Sequence, residues 1–350
     1  MNAWVMTLSW LFAFSLILLY LPAFLFAEKW FKGNTHVHTI LCGHADSTPE
    51  VVAQWYHDRS YNFLILSEHN KFIDPASVQL NGEIRQDFLL IPGEEVTGPT
   101  HSTAMNVTRL VPWDFKDKNR SKVIQWQVNE TRKAGGVTIL NHPNHPFIRA
   151  AELFPVKDLY MFELYNAHPA TNNFGDAHRP SMEQLWDALL EKGKTIYGVA
   201  SDDSHRFAKW DEKRDNPGRG WVMVQAAELS PNAITQAMTE GNFYSSSGVM
   251  LKRAERGRKS ISVEVDEKET AYELASKFLF GRLVKKGEPG TTIEFIGYGG
   301  KVVKTIAGNE GSCEAIDAYL RCKVTRRIKK EDGTLREYYA WTQPIFMDGR

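Results

Sequence analysis

The feature that most constrains this chain is a series of short apolar runs that each end in a histidine or a carboxylate. Asn62-Phe63-Leu64-Ile65-Leu66 runs into Ser67-Glu68-His69-Asn70, and Phe88-Leu89-Leu90-Ile91 into Pro92-Gly93-Glu94-Glu95. Val137-Thr138-Ile139-Leu140 runs into Asn141-His142-Pro143, and Thr195-Ile196-Tyr197-Gly198-Val199-Ala200 into Ser201-Asp202-Asp203-Ser204-His205. Runs of this length read as buried strands. Met161 to Tyr165 and Ser102 to Val107 read as further strands. Helical patterns lie between them. Ser47-Thr48-Pro49-Glu50 opens one through Val51, Val52, Trp55 and Tyr56, and Ser181-Met182-Glu183-Gln184 opens another through Leu185, Leu189 and Leu190. A third, around Val123 to Arg132, stops at Gly135-Gly136. Strands alternating with helices give the β-α-β rhythm of a parallel sheet or barrel.

Side chains two apart on an extended strand share a face, so His36 and His38 in Asn34-Thr35-His36-Val37-His38-Thr39 offer two imidazoles to one metal. Asp203 and His205 repeat that spacing. All 11 histidines lie between His36 and His205. Barrels of alternating strands and helices gather their sites at the C-terminal ends of the strands. The candidate ligands are therefore His36, His38, His44, His69, Glu95, His101, His142, Asp203 and His205. Asp46 and Glu68 are candidates for acceptors that orient ligating imidazoles. His57 falls inside a helix and reads as structural. His145, His168 and His178 lie in loops near the mouth, where one of them can protonate a leaving group. Lys71, Arg149, Arg206 and Arg219 lie near the same loops and are candidates for holding a substrate anion. Cys42, between histidines, reads as a packing residue.

His36-Val37-His38-Thr39, Ser67-Glu68-His69-Asn70, Gly93-Glu94-Glu95, Asn141-His142-Pro143 and Asp203-Ser204-His205 resemble, in order, the successive motifs of the polymerase-and-histidinol-phosphatase (PHP) superfamily. The resemblance covers about residues 31 to 250. It implies an α/β fold with a distorted, TIM-like, seven-stranded β/α barrel and a trinuclear centre. One metal would take His36, His38, Glu95 and Asp203. A second would share Glu95 and take His101 and His142, and a third would take His44, His69 and His205. Two positions depart from the family pattern. The second motif has Ser67-Glu68-His69 where Thr-Asp-His is common, and His44 and Asp46 compete for one role after the first.

Mixed imidazole and carboxylate ligands suit two or three divalent ions of zinc, manganese or iron. A carboxylate bridging two such ions, about 3.5–4 Å apart, leaves room for a bridging hydroxide suited to hydrolysing a phosphate ester, with Glu95, Asp203 and His205 as the catalytic set. No Ser-His-Asp elbow, phosphate loop or dinucleotide fingerprint competes with this chemistry.

Lys plus Arg and Asp plus Glu each number 42, so no net charge attracts polyanions and no extended nucleic-acid surface is expected. Met1 to Ala27 carries no charged side chain. Its length suits a membrane span, while Pro22 and the run to Ala27 resemble the end of a secretory signal. Residues 1–27 are thus a signal peptide or an anchor, and both place the remainder outside the cytoplasm, touching a membrane only if that segment is retained. Residues 28–250 then form the metallohydrolase barrel. Residues 251–350 turn to short alternating strands, as in a small all-β, sandwich-like domain. There Cys313 and Cys322 either pair across a hairpin or stay as free thiols. The closing Ala340-Trp341-Thr342-Gln343-Pro344-Ile345-Phe346 resembles the tail of the carbaryl-hydrolase-like subgroup of PHP proteins.

Three functions follow from this reading. One is a phosphoesterase acting on a nucleotide, an oligonucleotide end or another small phosphorylated molecule. The others are a carbon ester, amide or carbamate hydrolase and a metal-loaded envelope protein without turnover.

Overall fold

A computed structural model describes residues 28–348 apart from 81, 83 and 146. The expected signal peptide or anchor at 1–27 lies outside the described residues. Among those described, no helix is long and apolar enough to cross a membrane.

Ten strands make up the first part of the fold: β1 (Lys29–Val37), β2 (Phe63–Leu66), β3 (Leu89–Leu90), β4 (Gly93–Val96), β5 (Ser102–Met105), β6 (Val137–Leu140), β7 (Met161–Asn166), β8 (Tyr197–Ser201), β9 (Trp221–Ala226) and β10 (Phe243–Ser246). Apolar positions bury β2 and β8 along their whole length, as the sequence pattern requires. Gly33 faces Phe63 across β1 and β2, and a side chain there would collide with the aromatic ring. Helix Met182–Glu191 starts where expected, capped by the Ser181 hydroxyl, whereas Pro49–His57 is capped by Thr48, one residue beyond the Ser47 of the expected capping box.

The mixed α/β character is as expected, but the strands do not close into a seven-stranded barrel. They divide into a five-stranded sheet, β4-β5-β6-β7-β8, and a larger one containing β1, β2 and β3. A strand has only two edges. β1 gives one to β2 in parallel and the other to β9 in antiparallel, so β8 cannot zip along it. β2 likewise gives its outer edge to β3 rather than β4. Among the described residues the gaps are spanned by isolated bridges, parallel between Val37 and Ser204 and between His69 and Glu95, and antiparallel between Ile73 and Gly93. The two parallel bridges lie among the histidine motifs.

The remaining strands are β11 (Leu251–Arg256), β12 (Ser260–Val265), β13 (Arg282–Val284), β14 (Gly290–Gly297), β15 (Lys301–Ala307), β16 (Glu310–Glu314), β17 (Tyr319–Lys329), β18 (Leu335–Thr342) and β19 (Ile345–Phe346). β18 pairs with β10, matching Tyr244 to Thr342 and Ser245 to Trp341, so β13, β14, β15, β17, β18 and β19 extend the sheet of β1 to 11 strands. β11, β12 and β16 form a separate three-stranded sheet. Ile261 and Val263 of that sheet share one core with Ile293, Phe295, Cys322 and Val324, and also with Val52, Tyr56 and Leu64 near the site. Cys313 and Cys322 fall in different sheets, and both thiols are free.

Polar contacts lock this C-terminal part to β8 and its preceding helix. Arg321, buried, makes a two-pronged ion pair with Asp187, Nε to Oδ1 at 2.8 Å and Nη2 to Oδ2 at 2.7 Å. Lys323 pairs with Glu183 at 2.6 Å. Gln343 acts as a surrogate strand for β8, accepting the Gly198 N–H at 2.8 Å and donating to the Gly198 carbonyl at 2.9 Å.

Candidate metal centre

The strand ends converge on Glu95. Its Oε1 lies 3.3 Å from His36 Nε2, 3.3 Å from His142 Nε2 and 3.2 Å from His101 Nδ1. Its Oε2 lies 2.6 Å from His69 Nδ1 and 3.9 Å from His38 Nε2. Asn141 fixes the carboxylate by donating to Oε1 at 2.9 Å. His101 reaches this face although it precedes its strand, because β5 runs antiparallel to its neighbours and starts where they end.

Beside Glu95, His36 Nε2 and His38 Nε2 stand 3.0 Å apart, each 3.3 Å from Asp203 Oδ1. Donors that each stand about 2.0–2.1 Å from one tetrahedral zinc are separated by roughly 3.3 Å, so this triangle has about the dimensions of one face of a tetrahedral shell. On the outer side, the rings of His44 and His205 stack at 4.6 Å, those of His38 and His69 at 4.5 Å, and those of His38 and His205 at 4.2 Å. His36, His38 and Asp203, then His36, Glu95 and His142, then His38, His69 and His205 each present three ligand atoms within 4.8 Å of one another.

The tautomers favour cation binding. His36 Nδ1 donates to Glu163 Oε1 at 2.8 Å, and His205 Nδ1 to the Asp203 carbonyl at 3.0 Å, so in each neutral imidazole the lone pair falls on Nε2. His205 Nε2, His38 Nδ1 and His142 Nδ1 are buried without a partner. Buried polar atoms are almost always satisfied, and the unpartnered Nε2 of His205, a residue grouped with His38 and His69, fits a bound cation.

Electrostatics concentrate here. Burial opposes ionisation of His36, but Asp203, Glu163 and Glu95 outweigh it and hold the imidazole well above its usual range. Burial also opposes ionisation of Glu95 and Asp203, and the surrounding imidazoles hold both well below the carboxylate range. Burial wins at His38, drawn down to about 4, and at His205, drawn down to about 2. Two of the residues are held in the left-handed backbone region, His142 at φ 26° and Asp203 at φ 49°. Such residues cost about 1–3 kcal/mol each. His142 N–H to Glu163 Oε2 at 2.6 Å and Asp203 N–H to the His36 carbonyl at 2.9 Å keep them there.

Several residues take other places than those expected. Asp46 does not reach an imidazole. It accepts the N–H groups of Phe207 at 2.9 Å and Ala208 at 3.3 Å, pinning the loop after His205. Glu68 accepts the Thr39 N–H at 2.8 Å with one oxygen, and its other oxygen is buried and unpartnered. Arg219 does not face a substrate either. It is consumed by the carbonyls of Arg214, Asp211 and Phe278 and by Asn216. Arg149 lies over the Phe147 ring and begins the short helix Ala150–Leu153. Lys71 donates to the Leu41 carbonyl at 3.3 Å, and Arg206 donates to the His44 carbonyl, so both flank the His44 side of the cluster. The His145 ring lies 5.6 Å from His142 and the His168 ring 6.0 Å from His205.

Sequence reading passed over Glu163, Asn166, Asp202 and Asp215. Glu163 Oε2 also accepts from Asn166 at 2.8 Å, and Asn166 donates to Asp203 Oδ2 at 3.1 Å, turning Oδ1 toward His36 and His38. The available signal was Glu163 itself, a carboxylate in the middle of an apolar strand, which burial permits only when it is paired. Asp202 accepts from Tyr56, Asn34 and the N–H groups of Gly218, Arg219 and Gly220, fixing the far end of the 206–220 loop. Asp215 places Oδ2 3.4 Å from His205 Nδ1 and 3.8 Å from His168 Nε2.

No family model and no curated protein matches this chain. Among solved structures it is similar to a two-domain protein from Bacteroides vulgatus that contains a predicted PHP-like metal-dependent phosphoesterase. The two share 14% identity over 89% of this chain and 95% of that one, with a TM-score of 0.48.

Proposed function

We propose that the chain is a PHP-type hydrolase that binds two or three divalent ions of zinc, manganese or iron and cleaves a phosphate ester. The substrate is a nucleotide, an oligonucleotide end or another small phosphorylated molecule. The observation that carries this reading is the division of Glu95. One oxygen faces His36, His101 and His142 while the other faces His69 and His38. A buried carboxylate divided this way is placed to serve two cations at once. Bound there, such ions supply Lewis acidity and an activated water.

The chain's own residues position these groups. Glu163 orients His36, Asn141 orients Glu95 and Asn166 orients Asp203. His36, His38, Glu95 and Asp203 are assigned to one ion, Glu95, His101 and His142 to a second, and His44, His69 and His205 to a third. Glu95, Asp203 and His205 are the groups assigned to the reacting centre. Lys71 and Arg206 are the cations best placed to meet an anionic substrate at the outer edge.

The test is a panel of phosphomonoesters, phosphodiesters and aryl esters offered to manganese- and zinc-loaded protein. Phosphate release that disappears in His142→Ala supports the proposal. Hydrolysis of aryl esters alone would replace it with carbon-ester chemistry at the same centre. Stoichiometric metal without turnover on any member would point to a binding role. We also propose, from the uncharged apolar segment Met1 to Ala27, that the enzyme works outside the cytoplasm. Recovery of full-length protein only in the cytosolic fraction would rule that out.

A further inference from the structure

We propose that Cys42 is a metal ligand, its thiolate joining His44 and His205 in a sulfur-containing cation site at the outer edge of the cluster, which takes zinc in preference to manganese. This rests on the metal-binding reading above and adds to it a ligand and a choice of ion.

The local backbone is built for it. Ile40–Cys42 form one 3₁₀ turn, capped by the Thr39 hydroxyl, and Gly43 closes it at φ 87° with its N–H on the Ile40 carbonyl at 3.1 Å. That left-handed step suits glycine and reverses the chain. Ligand atoms of Cys42, His44 and His205 come within 4.8 Å of one another. His44 Nδ1 turns to the Cys42 carbonyl at 3.4 Å, which leaves its Nε2 for a cation.

Two independent observations point to a cation beside this sulfur. His205, only 5% exposed, has its Nδ1 engaged while Nε2 has no partner. Glu68, fully buried, has Oε2 unpartnered, and Glu68, Cys42 and His38 form a second group of ligand atoms within 4.8 Å. Two buried acceptors without donors each share a group of ligand atoms with this one sulfur, so a cation bound to the sulfur lies beside them. Thiolate ligands select zinc or other soft ions, whereas manganese and magnesium prefer oxygen. Cys313 in β16 and Cys322 in β17 belong to the C-terminal strands, and both free thiols serve as internal references.

The test uses full-length, metal-stripped protein. On adding cobalt(II), a thiolate-to-metal charge-transfer band is expected in the near ultraviolet and is lost in Cys42→Ser. In the unmodified protein, stoichiometric zinc should slow alkylation of Cys42 at least tenfold while leaving Cys313 unaffected, read peptide by peptide by mass spectrometry. Cys42→Ser should also lower the zinc-over-manganese preference at least tenfold. Elemental analysis separates the two readings. Bound metal with Cys42 alkylating at its metal-free rate overturns the thiolate ligand alone. Absence of bound metal overturns both.

Discussion

Glu163→Gln removes one charge and almost no volume from beneath His36. The carboxylate accepts from His36 Nδ1 at 2.8 Å, from the His142 N–H at 2.6 Å, from Asn166 at 2.8 Å and from the Ser201 hydroxyl. An amide keeps one acceptor oxygen and turns an NH₂ group toward donors, so at least one of these contacts becomes a clash of donors. Charge-assisted hydrogen bonds are roughly twice as strong as neutral ones. Loss of such a partner behind a ligating histidine costs about 10–100-fold in metal affinity. That is about 1.4–2.7 kcal/mol. The assay is competition for zinc against a chromophoric chelator, with circular dichroism to confirm the fold. A folded variant binding zinc within twofold of the native protein would refute the idea that Glu163 sets the His36 tautomer for a cation.

Asp187→Ala leaves the buried Arg321 guanidinium with the longer Glu183 contact at 3.4 Å as its remaining ion pair and should cost about 3 kcal/mol in urea unfolding. Adding Arg321→Met should restore much of that loss, and a single-variant cost under about 1 kcal/mol would contradict the structure. Gln343→Ala leaves the Gly198 N–H and carbonyl without their tail partners and should cost about 2–3 kcal/mol by the same measurement. Burial pushes Glu94 up to about 7 from the usual 4.5. The folded carboxyl therefore holds its proton where the unfolded one has lost it, and stability falls as pH rises through that window, by on the order of 3 kcal/mol. Glu94→Gln should match the native protein near pH 4 and exceed it at pH 8; equal stability at both would refute the shift. Zinc at about 100 times its Kd should stabilise the fold by about 2.7 kcal/mol, seen as a rise in Tm that chelation reverses.

What the sequence made legible was local. His69, Glu95, His142, Asp203 and His205 follow short apolar runs, and His36 and His38 share one face of a strand by their spacing. His101 was legible as a candidate, but its reach depends on the antiparallel course of β5. The unclosed barrel was not legible, because it turns on a competition for the edges of β1 and β2 that β9 and β3 win. Nor does local pattern reveal that β18 would pair with β10 and make the C-terminal strands an extension of the same sheet. Asp46 and Arg219 looked like site residues because they neighbour ligand motifs, and the folded loop turns them to backbone groups instead. Cys42 looked inert by spacing and acquires partners only when His205 and Glu68 fold around it.

The central claim is that one carboxylate, Glu95, serves two cations. Anomalous scattering from crystals of the zinc- or manganese-loaded protein tests it directly. The account predicts two peaks about 3.5–4 Å apart with Glu95 between them. A single peak, or peaks away from Glu95, would contradict it.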